Sequence, residues 1–233
     1  MPEEPAEPAE PAAPDDDVLD DGTPARHYRR RSEELEFDRV AFFSDAVFAI
    51  AMTLLVVGIG IPRGAAADLG KGLSEKDAEI FSFFLSFVVI GFFWLAHHRF
   101  FARLAAVDQR FMQINLLYLA AIAFTPFPTA IVGVYGGDEP VGVVLYAVTL
   151  GAASFLEVVL LWHSQREGLL RVRMRDDVFR GNMAAALAPV VVFGISIPIA
   201  YFATSWGLLS WLLIFPLEWA IGRFVIPKDA DPF

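Results

Sequence analysis

An all-α, polytopic membrane protein with six transmembrane helices is the fold class that three observations predict. Hydrophobic residues make up 56% of the 233-residue chain, with 22 phenylalanines and a mean hydropathy of +0.50. A water-soluble domain of this size needs more polar surface than that. Apolar runs of about 20 residues recur along the chain, each long enough at 1.5 Å per residue to cross a ~30 Å hydrocarbon core. Lysine and arginine are concentrated in alternate connectors, as the positive-inside rule requires of a multi-span chain.

The chain divides into an acidic tail (1–25), a basic juxtamembrane segment (26–38), a six-helix transmembrane domain (39–226) and a short C-terminal tail (227–233). Residues 1–25 repeat a Pro-Ala-Glu theme, with nine acidic and no basic side chains before Arg26. Such a composition cannot bury enough apolar surface to offset ordering entropy, so a disordered tail is expected. It also lacks the basic and then apolar pattern of a cleavable signal peptide. Arg26, Arg29, Arg30 and Arg31 then invert the charge ahead of the first span.

Span 1, residues 39–61, reads RVAFFSDAVFAIAMTLLVVGIGI, and its last 22 residues hold only three polar side chains, Ser44, Asp45 and Thr53. Pro62 and Arg63 end it, and a flexible glycine-containing loop leads to span 2 at about 77–98. Ser74 followed by Asp77 predicts a capping-box-like start there. Span 3, about 111–134, carries Asn115 and Pro126-Phe127-Pro128, which should kink or break it. Span 4 covers about 141–163. Span 5, about 182–203, should be interrupted at Pro189 and Pro198. Span 6 follows at about 206–226. The N-terminal region, the 2–3 and 4–5 connectors and the C-terminus hold 15 lysines and arginines, against three for the opposite connectors. Both termini are therefore expected in the cytoplasm of a cell-membrane protein, and termini on one side in turn require an even number of spans, as six is.

An ionisable group inside a span is costly enough to be a functional candidate by default. In span 1, Phe43, Ala46, Ile50, Thr53, Leu54 and Val57 share one face of the helical wheel. Asp45 lies about 140° from Ile50, on the other side of the helix. The apolar face either lines a pore or meets lipid or another helix. Asp45 needs donors from elsewhere, and Trp94, His97 and His98 near the end of span 2, with Asn115 near the start of span 3, are the candidates. No metal site is expected, because only four histidines are present and cysteine is absent. Cysteine's absence also excludes disulfides and thiol catalysis. No nucleophile–base pair or phosphate loop supports an enzyme, and neither a cofactor nor a nucleic-acid partner is expected. The segment VGVYG at 132–136 is near the TVGYG filter pattern, but it ends a full-length span and Val134 breaks the register.

Arg39-x-x-x-Phe43-Ser44-Asp45 followed by AVFAIAMTLLV, together with WLAHHRFF at 94–101 and NLLYLAAIAFTPFPTAIVG at 115–133, resembles the transmembrane protein 175 family. These are endosomal and lysosomal potassium channels with prokaryotic relatives. The resemblance is dense over spans 1 to 3. It implies a homotetramer in the bilayer, with four copies of span 1 lining a central pathway for K+ as the permeant ion. By position it implies that Ile50 forms a hydrophobic constriction, with Thr53 a polar layer beyond it and Ala46, Leu54 and Val57 on the same lining. It further implies that Arg39, Phe43, Ser44 and Asp45 pack against Trp94, His97, His98 and Asn115 as a structural network without coordinating ions. A potassium-permeable channel of modest selectivity over Na+ is the function so implied. The alternatives are a secondary transporter coupled to protons or sodium, with Asp45 and Glu157 as carriers, or a non-catalytic membrane scaffold.

Overall fold

The computed structural model describes residues 23–62, 69–135 and 139–224. The expected acidic tail up to residue 22, the loop residues 63–68 and the C-terminal tail lie outside the described residues. Among the described residues, six helical spans are long and apolar enough to cross a membrane. Among the described residues there is no strand, only an isolated antiparallel bridge between Leu104 and Leu170.

Helix α1, Thr23–Leu54, is a single helix of 32 residues. The juxtamembrane segment is therefore helical and continuous with span 1. Span 1 also ends earlier than its hydropathy predicts: it tightens into a 3-10 turn at Leu55–Gly58, and Ile59 is already extended. After the short α2, Leu69–Ser74, comes α3, Asp77–Ala102. The expected cap is not formed: Ser74 donates to Lys71 O within α2, and Lys76 is the residue that starts α3. Asp77 and Glu79 in the first turn still complement the helix dipole.

Span 3 is split. Helix α4, Gln109–Phe124, starts at Asp108, whose carboxylate accepts the Phe111 amide at 2.6 Å. It stops at Thr125 because Pro126 cannot donate to Ile122 O. The Thr125 amide takes that carbonyl at 3.1 Å, and the Thr125 hydroxyl takes Ala121 O. Helix α5, Pro126–Tyr135, then restarts. Helix α6, Pro140–Glu167, begins on a proline and ends at Gly168, whose φ of 71° is left-handed. Helix α7, Asp176–Phe202, runs unbroken through Pro189 and Pro198, contrary to the predicted interruptions. Membrane helices tolerate single prolines where packing and local adjustment absorb the lost donor, and α7 packs along α6 through Val192, Phe193 and Ala200 in this stretch. Span 6 is instead the irregular one: α8, Thr204–Ser210, a 3-10 turn at Trp211–Leu213, and α9, Ile214–Phe224.

Two clusters hold the bundle. Phe48, Ile90, Phe111, Tyr118, Ile122 and Leu160 form one core between α1, α3, α4 and α6. Tyr146, Leu150, Phe193 and Trp211 anchor a second between α6, α7 and span 6. The connectors 103–106 and 169–171 clasp each other through Ala105 N to Leu169 O and Arg171 N to Arg103 O, both at 2.8 Å.

Candidate functional site

The two faces of α1 have opposite fates. Ser44, Phe48, Ala51 and Leu55 recur at helical spacing and are fully buried against the bundle. Ala46, Ile50, Thr53, Leu54 and Val57 are exposed, Ile50 by 57% and Val57 by 75%. The face that the wheel groups as one apolar seam is thus left uncovered by the other described residues. Val57 sits in the 3-10 turn, so the seam ends one tightened turn beyond Thr53. The Thr53 hydroxyl donates to Ile50 O at 2.9 Å. Its proton is used within the helix, which leaves the oxygen lone pairs directed outward as acceptors.

Behind the seam lie two separate hydrogen-bond connections. Asp45, half-buried, accepts Trp94 Nε1 at 2.8 Å. Ser44 belongs to a second chain: Asn115 Nδ2 donates to Ser44 Oγ at 3.0 Å, and Ser44 Oγ donates to Val40 O at 2.8 Å. With the amide in that orientation, Asn115 Oδ1 is the acceptor of His97 Nε2 at 3.0 Å. His97 is buried and stacked between Phe101 and Tyr118, with ring centroids at 4.3 and 5.3 Å. The connection thus runs from Val40 O through Ser44 and Asn115 to His97, linking α1, α4 and α3 within the core.

Three residues expected in this network stand outside it. Phe43 is 53% exposed, on the seam side of α1. Arg39 is exposed one turn below Phe43. His98 is also exposed, turned about 100° from His97 on the helix, and only its ring approaches Trp94, at 5.5 Å. His97 is therefore the histidine that joins the Ser44–Asn115 chain.

Several contacts escaped the sequence. Ser86 pairs with Tyr146 Oη at 3.0 Å and accepts from Thr129 at 2.9 Å, joining α3, α5 and α6 in the core. Asp108 also receives His163 Nε2 at 2.9 Å. Burial works against the Asp108 charge, but the Phe111 amide, the His163 ring and the Arg110 amide outweigh it and hold the carboxyl below its usual range. Glu79 accepts the Gly60 amide at 3.0 Å and pairs with Lys76 at 2.7 Å. The helix-start position of Asp108, three residues before Phe111, was a readable signal; nothing local in the sequence marks the partners of Glu79 and Ser86.

A six-span helical membrane protein whose first helix offers an uncovered apolar seam, braced from behind by a polar network, is the class these features define. Residues 39–126 match the family model described as "Endosomal/lysosomal potassium channel TMEM175". A protein of Streptomyces collinus named as a potassium channel is 36% identical over 139 residues, which cover 58% of this chain and 68% of that one. The chicken protein named as an endosomal/lysosomal proton channel is 36% identical over 104 residues, covering 41% of this chain and 21% of its own. A crystal structure of a lysosomal potassium-selective channel TMEM175 homolog from Chamaesiphon minutus superposes with a TM-score of 0.67 at 25% identity, covering 80% of this chain and 98% of that one. The chain belongs to the TMEM175 family.

Proposed function

We propose that this protein is a passive, potassium-permeable cation channel of the cell membrane, formed by four copies of the chain around a pathway lined by α1. The observation that carries this reading is the uncovered seam from Ala46 to Val57, lying opposite a face of the same helix that is wholly buried. An apolar stripe facing nothing within its own chain is accounted for by lipid or by copies of itself, and the break in that stripe at Thr53 favours a pathway over lipid. Ile50 forms the constriction. A ring of isoleucines conducts only while wide enough to stay wet, so small rotations of α1 open and close it. Thr53, with outward lone pairs, replaces part of the water that a passing ion sheds. Selectivity for K+ over Na+ is modest, because it comes from the lower dehydration cost of the larger ion.

Asp45 and the Ser44–Asn115–His97 chain serve as the brace that fixes the rotation of α1. No cofactor takes part, and conduction involves no catalytic step. The lysine and arginine bias of the connectors favours both termini in the cytoplasm. Relatives named for potassium and for protons make the permeant ion the point to test. The experiment is purified protein in liposomes, with K+, Na+ and H+ fluxes measured side by side. Single-channel currents carried by K+ are expected; saturable, gradient-coupled flux without channel currents would favour a transporter and sink the proposal.

A further inference from the structure

The seam's far end, remote from the N-terminus of α1, is held by a contact that the brace does not include. Past the 3-10 turn the chain leaves the helix at Ile59, and the next amide, Gly60 N–H, donates to Glu79 Oε2 at 3.0 Å. The other carboxylate oxygen, Oε1, accepts Lys76 Nζ at 2.7 Å. Both side chains are drawn in, with 11% of Glu79 and 25% of Lys76 exposed. Glu79 is the third residue of α3, where a glutamate ordinarily reaches back to the backbone of its own helix start; here one oxygen takes the Lys76 side chain and the other the Gly60 amide, two residues past the turn that ends span 1.

The surroundings leave little slack. A Cβ at Gly133 of α5 would come within 3.1 Å of Glu79 Cα, so α5 abuts the backbone that carries the carboxylate. A Cβ at Gly58 would come within 3.2 Å of Ala130 Cβ, so the 3-10 turn is seated on the same helix. At Gly60 a Cβ would meet Lys76 Nζ at 3.2 Å, which places the ammonium directly over the glycine. A narrow cleft between Leu55, Gly58, Glu79, Phe83, Thr129 and Gly133 lies beside this contact.

We propose that Glu79 is a positioning residue for conduction, latching the far end of the pore-lining helix to α3 through the Gly60 amide while Lys76 steadies its carboxylate. The brace at Ser44 and Asp45 fixes the helix near one end of the seam and the latch fixes it near the other, so that Ile50 and Thr53 hold their rotation between two supports. This rests on the channel reading above.

The test compares Glu79→Ala, Glu79→Gln and Glu79→Met in the purified full chain. Two quantities are read: amide hydrogen exchange across residues 55–62, and the K+/Na+ flux ratio in liposomes. The alanine variant should speed exchange about tenfold, as loss of a charge-assisted hydrogen bond does, and lower the flux ratio. Methionine matches the length of glutamate but offers Gly60 no oxygen acceptor, so it should behave like alanine. Glutamine keeps an acceptor oxygen and should fall between wild type and alanine. If the alanine variant fails to fold, the contrast between glutamine and methionine carries the test. Unchanged exchange in every variant, or a methionine variant that behaves like wild type, would overturn the latch. Faster exchange with an unaltered flux ratio would overturn its role in conduction. Wild-type protein that passes no cation would remove the channel reading and that role together, while the exchange data still report the contact itself.

Discussion

At Asp45 the most conspicuous charge in span 1 is turned away from the seam and bound to an indole. Its carboxylate accepts Trp94 Nε1 at 2.8 Å, across from α3. Trp94→Phe and Asp45→Ala should each lower the melting temperature in detergent. A double-mutant cycle should give a coupling of about 1–2 kcal/mol, between the values for neutral pairs in membranes and for charged hydrogen bonds elsewhere. Zero coupling would mean that the indole bond does not brace the helix. In both variants that fold, the K+/Na+ ratio should change less than stability does. Ile50 is the opposite case, since 57% of it is exposed within its own chain. Ile50→Asn should leave the melting temperature nearly unchanged, raise conductance by keeping the constriction wet, and blur selectivity. Unchanged single-channel current in that variant would take Ile50 out of the pathway.

Helix boundaries were the least legible level of the sequence, and the reasons are local. Hydropathy placed six spans because apolar length is a one-dimensional property that a single chain displays directly. It ran span 1 on to Ile61, whereas the helix tightens at Leu55, where Gly58 lets the turn settle against Ala130. Pro126-Phe127-Pro128 broke its helix and Pro189 and Pro198 did not, although the residue type is the same. At the first site two prolines two residues apart remove alternate donors within one turn, while at the second each stands alone. The wheel found the seam because face is set by spacing, but Glu79 and Gly60 are 19 residues apart and only the fold introduces them. One boundary makes a sharp test. Gly168 adopts φ 71° at the end of α6, and a Cβ there would meet nothing within 4 Å. Gly168→Ala should therefore cost about 1 kcal/mol through backbone strain alone, seen as a lower melting temperature with no change in ion flux.

On the scale of the whole molecule, the clasp between the 2–3 and 4–5 connectors closes one end of the first core, to which Leu104 and Leu170 belong, and Asp108 nearby in the 2–3 connector ties the start of α4 to His163 of α6. Its carboxyl is held below the usual range in the folded protein. A depressed native value contributes stability that is complete above the ordinary carboxylate value, about pH 4, and is lost as pH falls through the native value. The melting temperature should accordingly fall on acidification below about pH 4, and Asp108→Asn should lower it at neutral pH while flattening that acid limb. The effect should be small, since the side chain is 38% exposed and water screens it. An acid limb of the same slope in the variant would assign the loss to other groups. The length of α1 has a mechanical consequence of its own. At 32 residues it measures about 48 Å, some 18 Å more than a hydrocarbon core. The excess is continuous helix with the segment bearing Ile50, with no break between them. In the channel we propose, a torque applied to that protruding shaft would arrive at the seam as rotation, so whatever grips the N-terminal end would turn Ile50 with it.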